Sequence, residues 1–238
     1  MFNQYPNRQP PNQPGAFGRA VDQGAFDEGL RKHMLRVYNF MVLGLAITGL
    51  IAAFVASTPA LYVPIFTTPL KWVVMLAPLA FIFVLSWRFD RMSSSALQMT
   101  FWAFCAVMGV SMASIFLVFT GTSIVQTFLV TAIAFAGLSL YGYTTKRDLS
   151  GMGTFLVMGL IGLIVASIVN IFLGSPAVMF AISVIGVLIF AGLTAYDTQN
   201  IKSTYVQMAS SGDTEWLGKS AIMGALSLYL NFLNMFMF

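Results

Sequence analysis

The sequence predicts an all-α integral membrane protein with seven transmembrane helices. Of its 238 residues, 58% are hydrophobic and only 8% are charged, whereas an average soluble domain carries about 25% charged residues. Such a chain cannot cover a globular surface with solvated side chains, which excludes a soluble protein. A hydrocarbon core of about 30 Å needs roughly 20 apolar residues per helix, so each long apolar run predicts one span. The runs cover residues 37–56, 72–87, 96–119, 124–143, 152–172, 177–195 and 221–238.

The N-terminus has a different composition from the rest of the chain. Residues 1–15 include four Pro and six Asn or Gln residues. This composition cannot bury enough apolar area to offset the entropy lost on ordering. We therefore expect a disordered cytoplasmic tail over residues 1–20.

Residues 21–36 predict a short interfacial helix ahead of the membrane domain at residues 37–238. Acidic side chains precede basic ones in this segment, as a helix macrodipole favours; they are Asp27 and Glu28, followed by Arg31, Lys32 and Arg36. His33 is expected to be a solvated residue of this helix.

Helix breakers separate the apolar runs and make their connections predictable. The first connection is flanked by Pro59 and Pro69, the third begins at Gly121, and the fifth contains Pro176. These residue types mark loops, so the first connection is expected to be a loop.

Lysine and arginine residues lie almost entirely on one side of the predicted bundle. The N-terminal segment and the second, fourth and sixth connections contain Arg8, Arg19, Arg31, Lys32, Arg36, Arg88, Arg91, Lys146, Arg147, Lys202 and Lys219. The opposite side has Lys71 alone. The positive-inside rule therefore predicts a cytoplasmic N-terminus and, with seven spans, a C-terminus outside.

Asp197 is the one acidic residue at or near hydrocarbon depth in the seven runs, and it is the first candidate for function. An ionised carboxylate at that depth costs several kcal/mol, so it should face a wet cavity or be protonated. Thr194, three residues earlier, shares its helical face and could donate a hydrogen bond to it. The alternative is that the sixth span ends at Ala195 and that Asp197 lies among the lipid headgroups.

The seventh run has a polar stripe formed by Ser227, Asn231 and Asn234, at positions i, i+4 and i+7. Lipid offers such side chains no partner, so the stripe must face other protein. We therefore expect the seventh span to be central in the bundle. These residues could form a functional site, or hydrogen bonds that only hold the helices together.

Several classes of site are excluded by the residues that are present. The single cysteine and the single histidine cannot form an intramolecular disulfide or a cysteine-cluster metal site, and no metal or cofactor is expected. No nucleophile elbow, phosphate loop or zinc-protease motif occurs, so an enzyme is not expected. The scattered basic residues also do not form a nucleic-acid footprint.

Two segments resemble the paired end motifs of the Bax inhibitor-1 family, which is also called the transmembrane Bax inhibitor motif family. They are Ala-Tyr-Asp-Thr-Gln at residues 195–199 and Gly-Ala-Leu-Ser-Leu-Tyr-Leu-Asn-Phe-Leu-Asn-Met-Phe at residues 224–236. The resemblance extends from about Phe26 to the last residue, and bacterial members include the YccA-like inner-membrane proteins. It implies seven helices with the last surrounded by six, in a bacterial inner membrane.

The resemblance also implies a cation leak, chiefly of Ca²⁺, which is gated by pH through two aspartates that share a proton. The first aspartate maps onto Asp197, but the second position is Asn231 in this sequence. Asn231 cannot ionise, and its amide can donate a hydrogen bond to the Asp197 carboxylate. The pair therefore lacks the like-charge repulsion on which gating near neutral pH would depend.

Two functions remain open at this point. The first is a passive cation leak with Asp197 as the acid that faces the ion. The second is a YccA-like regulatory protein that binds a membrane protease such as FtsH through its cytoplasmic tail, and the Asn, Gln and Pro composition of that tail favours this reading. The expected partners are thus the lipid bilayer and either Ca²⁺ or a membrane protease.

Overall fold

The computed structural model describes residues 16–209 and 213–238, and this part of the chain is helical throughout apart from short connections. Seven of its helices are long and apolar enough to cross a membrane, which confirms the predicted fold class. The helices are α1 (Ala16–Ser57), α2 (Pro59–Thr67), α3 (Leu70–Trp87), α4 (Ser94–Val118), α5 (Gly121–Thr144), α6 (Ser150–Leu173), α7 (Pro176–Met208) and α8 (Thr214–Met237), with a 3₁₀ helix at Phe89–Arg91.

The predicted interfacial helix is continuous with the first span, because α1 has no break between Ala16 and Ser57. Leu30, Met34 and Val37 recur at i, i+4 and i+7, and each is at most 7% exposed. This stripe runs directly into the first apolar run, so the segment packs against the bundle. Residues 1–15 of the predicted tail lie outside the described residues, and residues 16–20 already belong to α1.

The first connection contains a helix, so the expectation of a loop there was wrong. Helix α2 begins at Pro59, and proline is well tolerated at the first helical position because the N–H it lacks would be unpaired there. Pro59, which the sequence predicts to be a helix breaker, therefore begins a helix. None of the α2 residues is buried, and Leu61 and Val63 are exposed.

Polar residues cap most of the other helices. The side chains of Ser93, Thr120, Ser175 and Asp213 each accept a hydrogen bond from a backbone N–H in the first turn of the helix that follows. Such caps satisfy donors that the helix itself leaves unpaired. Helix α6 ends at Leu173, and the next residue, Gly174, has a φ of 60°, the left-handed conformation that glycine adopts without steric cost.

Helix α8 is the centre of the bundle, as its polar stripe predicted. In its most apolar stretch 61% of the residues are buried inside the protein, against 11–33% for the other six spans. Tyr229 of α8 is fully buried, and its ring contacts the rings of Phe101 and Phe104 of α4. The outer helices leave their own apolar faces exposed, as a lipid-facing surface requires.

Small residues bring other helices close to the part of α7 that carries Asp197. A Cβ on Gly142 of α5 would overlap the carbonyl oxygen of Ala195, and a Cβ on Gly153 of α6 would overlap the ring of Tyr196. A Cβ on Gly224 of α8 would lie 2.9 Å from Ile201. These close approaches fix the backbone on either side of Asp197, since interfaces of small residues let helices pack tightly.

Candidate functional site

The central polar contact of the bundle joins Asp197 on α7 to Asn231 on α8. The Nδ2 atom of Asn231 donates a hydrogen bond of 2.7 Å to the Oδ2 atom of Asp197. Asn231 is 5% exposed and Asp197 is partly buried. The predicted carboxylate–amide pair is thus confirmed as a contact. Helix α7 continues past Ala195 to Met208, so Asp197 lies inside the helix and not at its end.

Asp197 of this pair borders two cavities. The first cavity has a volume of about 230 Å³ and is lined by residues of α1, α7 and α8, among them His33, Asn200 and Ser220. The second cavity, about 510 Å³, lies between α6, α7 and α8 and is lined by Asn231 and Asn234 as well as many apolar residues. Asp197 and Ser227 line both cavities.

The first cavity lies at the end of the bundle where α1, α4 and α8 begin and α7 ends. At this end Ser94 donates a hydrogen bond of 3.2 Å from its hydroxyl to the carbonyl oxygen of Glu215. Gly29 near the start of α1 abuts the Tyr205 hydroxyl near the end of α7. The second cavity extends from Asp197 in the opposite direction, toward Phe238 at the end of the chain.

The other two members of the polar stripe face the cavities without bonding to Asp197. Asn234 donates from Nδ2 to the carbonyl oxygen of Leu230 at 2.8 Å and lines the second cavity. Within the described residues the Ser227 hydroxyl has no hydrogen-bond partner, and it borders both cavities. Ser227 and Asn234 therefore share a cavity with the Asp197 carboxylate.

Thr194 does not donate to Asp197, so that part of the predicted site was wrong. Its hydroxyl is fully buried and donates to the carbonyl oxygen of Phe190 at 2.8 Å, with a longer contact of 3.7 Å to the Sδ atom of Met235. A threonine inside a helix commonly bonds to the carbonyl four residues earlier. The carbonyl oxygen of Phe190 is therefore easier for the Thr194 hydroxyl to reach than the carboxylate of Asp197, three residues later.

His33 is buried, contrary to the expectation of a solvated residue. It is 7% exposed, and its ring lies 5.0 Å from the ring of Tyr205, measured between centroids. It also lines the first cavity together with Asp197. Since α1 is continuous through this segment, the face that carries Met34 and Val37 also turns His33 into the bundle.

A buried hydroxyl cluster that the sequence did not reveal fixes α8 to α1 and α4. The Thr48 hydroxyl lies 2.6 Å from the Tyr229 hydroxyl, 2.9 Å from the carbonyl oxygen of Gly44 and 3.0 Å from that of Cys105. Thr48 has one hydroxyl hydrogen, which the two carbonyl oxygens share, so Tyr229 is the donor in the bond between the two hydroxyls. Three helices meet at this one side chain.

A second set of hydroxyl groups connects α1, α5 and α7 just beside Asp197. The Tyr38 and Ser139 hydroxyls are 2.6 Å apart, and those of Ser139 and Thr198 are 3.0 Å apart. Thr198 in turn donates to the carbonyl oxygen of Thr194 at 2.8 Å. Ser139 and Thr198 are both buried, so this chain of hydrogen bonds stays in the protein interior.

Gln199, the last residue of the first family-like motif, holds the connection between α5 and α6 against α7. Its Nε2 atom donates to the carbonyl oxygen of Arg147 at 2.7 Å, and its Oε1 atom accepts from the backbone N–H of Leu149 at 2.8 Å. In the same connection, hydrogen bonds from Ser150 hold the pKa of the Asp148 carboxyl below its usual value. The motif thus combines a structural anchor with the carboxylate two residues before it.

Seven apolar helices and a partly buried carboxylate–amide pair between α7 and α8 define a polytopic membrane protein whose central span carries part of the polar site. A sequence model of the family described as "Inhibitor of apoptosis-promoting Bax1" matches residues 30–238. The chain therefore belongs to the Bax inhibitor-1 family, as its two end motifs indicated.

Bacterial relatives resemble the chain over most of its length. An uncharacterized protein of Caulobacter vibrioides is 48% identical over 221 residues, which cover 89% of this chain and 88% of the relative. The inner membrane protein YbhL of Escherichia coli strain K12 is 45% identical over 210 residues, 88% of this chain and 89% of the relative. An uncharacterized membrane protein of Streptococcus pyogenes is 31% identical, with 88% of this chain and 91% of the relative covered.

Proposed function

We propose that this protein is an inner-membrane cation leak that passes Ca²⁺ along the face of α8, with Asp197 as the acid that meets the ion. The observation that carries the proposal is that Asp197 and Ser227 line both cavities. A cation that enters either cavity reaches the same carboxylate. The relative named as an inner membrane protein supports the proposed location, and on this proposal the chain is not an enzyme.

The atoms around Asp197 suit transient binding of a hard cation. Ca²⁺ prefers oxygen ligands, and the cavity that Asp197 borders is also lined by Ser227 and Asn234, whose side chains carry oxygen atoms. A tight Ca²⁺ site uses six to eight oxygens, often with several carboxylates. A site with one carboxylate favours entry of the ion and also lets it leave, which conduction requires.

The contact between Asp197 and Asn231 is the proposed restriction of this path. Its hydrogen bond of 2.7 Å draws α7 and α8 together at the carboxylate that borders both cavities. Asn231 offers its amide donor to the carboxylate, so an approaching cation must compete with that bond. We therefore propose that Ca²⁺ leaks slowly and that the hydrogen bond between Asp197 and Asn231 lies at the narrowest point of its path.

The excess of basic residues at the end of the bundle that holds the first cavity supports a cytoplasmic N-terminus.

Ion flux through the purified protein in vesicles, with Ca²⁺ on one side, tests this function. We expect flux above that of empty vesicles, and we expect Asp197→Asn to reduce it on the order of tenfold, the factor given by about 1.4 kcal/mol. Asp148→Asn is the matched control, because it also neutralises one aspartate but lies in the connection between α5 and α6. Equal flux in the parent and in Asp197→Asn would contradict the proposal.

The composition of the N-terminal segment favours regulation of a membrane protease such as FtsH as a second candidate function. Residues 1–15 are rich in Asn, Gln and Pro, and a segment of this kind can bind a partner without belonging to the bundle. Deletion of residues 2–15, which ends before α1 begins, separates the two functions. A leak should survive the deletion, whereas an effect on protease activity that depends on the tail should disappear.

A further inference from the structure

A groove between α1 and α5 forms a second cavity system, separate from the polar site. It has a volume of about 550 Å³, within the range of roughly 300–1,000 Å³ typical of ligand pockets. Its walls are the side chains of Arg31, Met34, Leu35, Tyr38 and Met41 on α1 and of Phe135, Ala136, Ser139, Leu140 and Tyr143 on α5. We call this the α1/α5 groove. Neither Asp197 nor any residue of α8 lines it.

Most of the side chains that line the groove are apolar, one hydrogen bond crosses it, and its charged group lies at one end. The Tyr38–Ser139 hydrogen bond of 2.6 Å connects the two walls. Because α1 is the first span and α5 the fourth, they cross the bundle in opposite directions, so Met41 and Phe135 lie toward one end of the groove and Arg31 and Tyr143 toward the other. The middle of the groove is formed by Met, Leu, Phe and Ala side chains. An occupant must therefore have a long apolar part and a polar part at the Arg31 end.

The polar end is positively charged. Within the part of the chain whose side chains are described, Arg31 forms no ion pair, whereas its neighbour Lys32 pairs with Glu28 at 2.7 Å. Lys202 lies next to the groove, since its Nζ atom donates to the carbonyl oxygen of Tyr143 at 2.8 Å and sits 5.0 Å from the centre of that ring. An arginine fork is well suited to bind a phosphate oxygen pair.

We propose that the α1/α5 groove binds one anionic phospholipid, with an acyl chain along the Met and Leu side chains and the phosphate on Arg31. Three observations select this occupant. The groove faces the bilayer, since Leu35 and Leu140 at its rim are 49% and 63% exposed. Its charged side chain, Arg31, and the neighbouring Lys202 lie at one end of the groove. Its charge is complementary to a phosphate, and basic pockets between spans are typical sites for anionic headgroups.

The test uses the full-length protein in detergent micelles supplied with equal amounts of phosphatidylglycerol and phosphatidylcholine that carry the same acyl chains. Native mass spectrometry then measures the ratio of the two lipids retained. We expect the parent to retain about five times as much phosphatidylglycerol as phosphatidylcholine. This is the ratio that corresponds to about 1 kcal/mol, the contribution of one basic side chain near anionic lipid. Arg31→Gln should remove this preference. Lys32→Gln, which removes an equal charge from the same turn but outside the groove, should keep it.

A second pair of variants tests the apolar part without a change of charge. Ala136 lines the groove and Ala134, on the same helix, does not, and both are exposed. Ala136→Trp should fill the groove and abolish preferential retention, whereas Ala134→Trp should leave it unchanged. Since both positions are exposed, both variants should fold, and thermal unfolding monitors this. Equal retention of the two lipids by the parent would overturn the proposal, as would an unchanged preference in Arg31→Gln or in Ala136→Trp. Occupation of this face by a co-purified protein that phosphatidylglycerol does not displace would overturn it as well.

Discussion

Asn231→Asp should convert a leak that varies little with pH into one that depends steeply on it. In the variant a carboxylate oxygen replaces the amide nitrogen that lies 2.7 Å from Asp197 Oδ2. Two unit charges about 4 Å apart repel by about 4 kcal/mol at an effective dielectric constant of about 20. Because this exceeds the roughly 1.4 kcal/mol that corresponds to one pH unit, the two acids should share one proton at neutral pH and titrate as a pair.

Loss of that shared proton should increase the flux of Ca²⁺. The second negative charge attracts the ion, and the repulsion replaces the hydrogen bond that holds α7 against α8. We therefore expect the flux of Asn231→Asp to rise about tenfold or more between about pH 6 and 8, the window in which a carboxylate pair would titrate. The parent pair has one carboxylate and one amide, so its flux should change little over the same window.

The assay follows Ca²⁺ entry into vesicles with an internal fluorescent indicator across this pH range. All variants should carry His33→Gln, because His33 lines the first cavity with Asp197 and an imidazole titrates between about pH 5 and 8. Asn234→Asp is the matched control, since it adds a carboxylate to the second cavity at a side chain that bonds to Leu230 and not to Asp197. If the protein that carries His33→Gln alone, with Asp197 and Asn231 unchanged, showed a Ca²⁺ flux that depends steeply on pH, the reasoning would be refuted.

Two further predictions concern topology and packing. A reporter fused after Lys146 should be cytoplasmic and one fused after Thr122 should be outside, and a cytoplasmic signal at Thr122 would contradict the seven-span orientation. Gly142→Ala should destabilise the protein by about 1–3 kcal/mol, the usual cost of overpacking, because the added methyl group would overlap the carbonyl of Ala195. Gly137→Ala on the same helix meets no atom within 4 Å and should be neutral or stabilising by up to about 1 kcal/mol. Thermal unfolding in detergent compares the two, and equal stabilities would show that the close approach of α5 to α7 is not required.

Periodicity along single helices was enough to predict much of the site. The i, i+4, i+7 spacing of Ser227, Asn231 and Asn234 placed them on one face, and the absence of polar partners in lipid required that face to be central. Both of these steps depend on the chemistry of one helix and its solvent. The pairing of Asp197 with Asn231 came instead from the resemblance to the Bax inhibitor-1 family, because the spacing within one helix does not say which residue of another helix faces the carboxylate.

The features that sequence reasoning missed depend on neighbours from several helices. The bond between Tyr229 and Thr48 joins residues far apart in the chain, and neither residue belongs to a polar stripe that would reveal it. Thr194 shares a face with Asp197, yet spacing alone could not decide between a carboxylate and a nearer backbone carbonyl. The burial of His33 follows from the register of α1 against Tyr205, which composition does not specify.

The hydroxyl cluster at Thr48 has a consequence for how the bundle can deform. Helix α8 is tied to α1 through Tyr229 and to α7 through Asn231, so rotating it about its axis would break both bonds, each worth about 1 kcal/mol or more. Helix α6 packs mainly on α7, through contacts such as Gly159 with Ile189, and among the described residues no side-chain hydrogen bond ties it to α8. An outward swing of α6 would therefore widen the second cavity without breaking either of the two bonds that hold α8 in place.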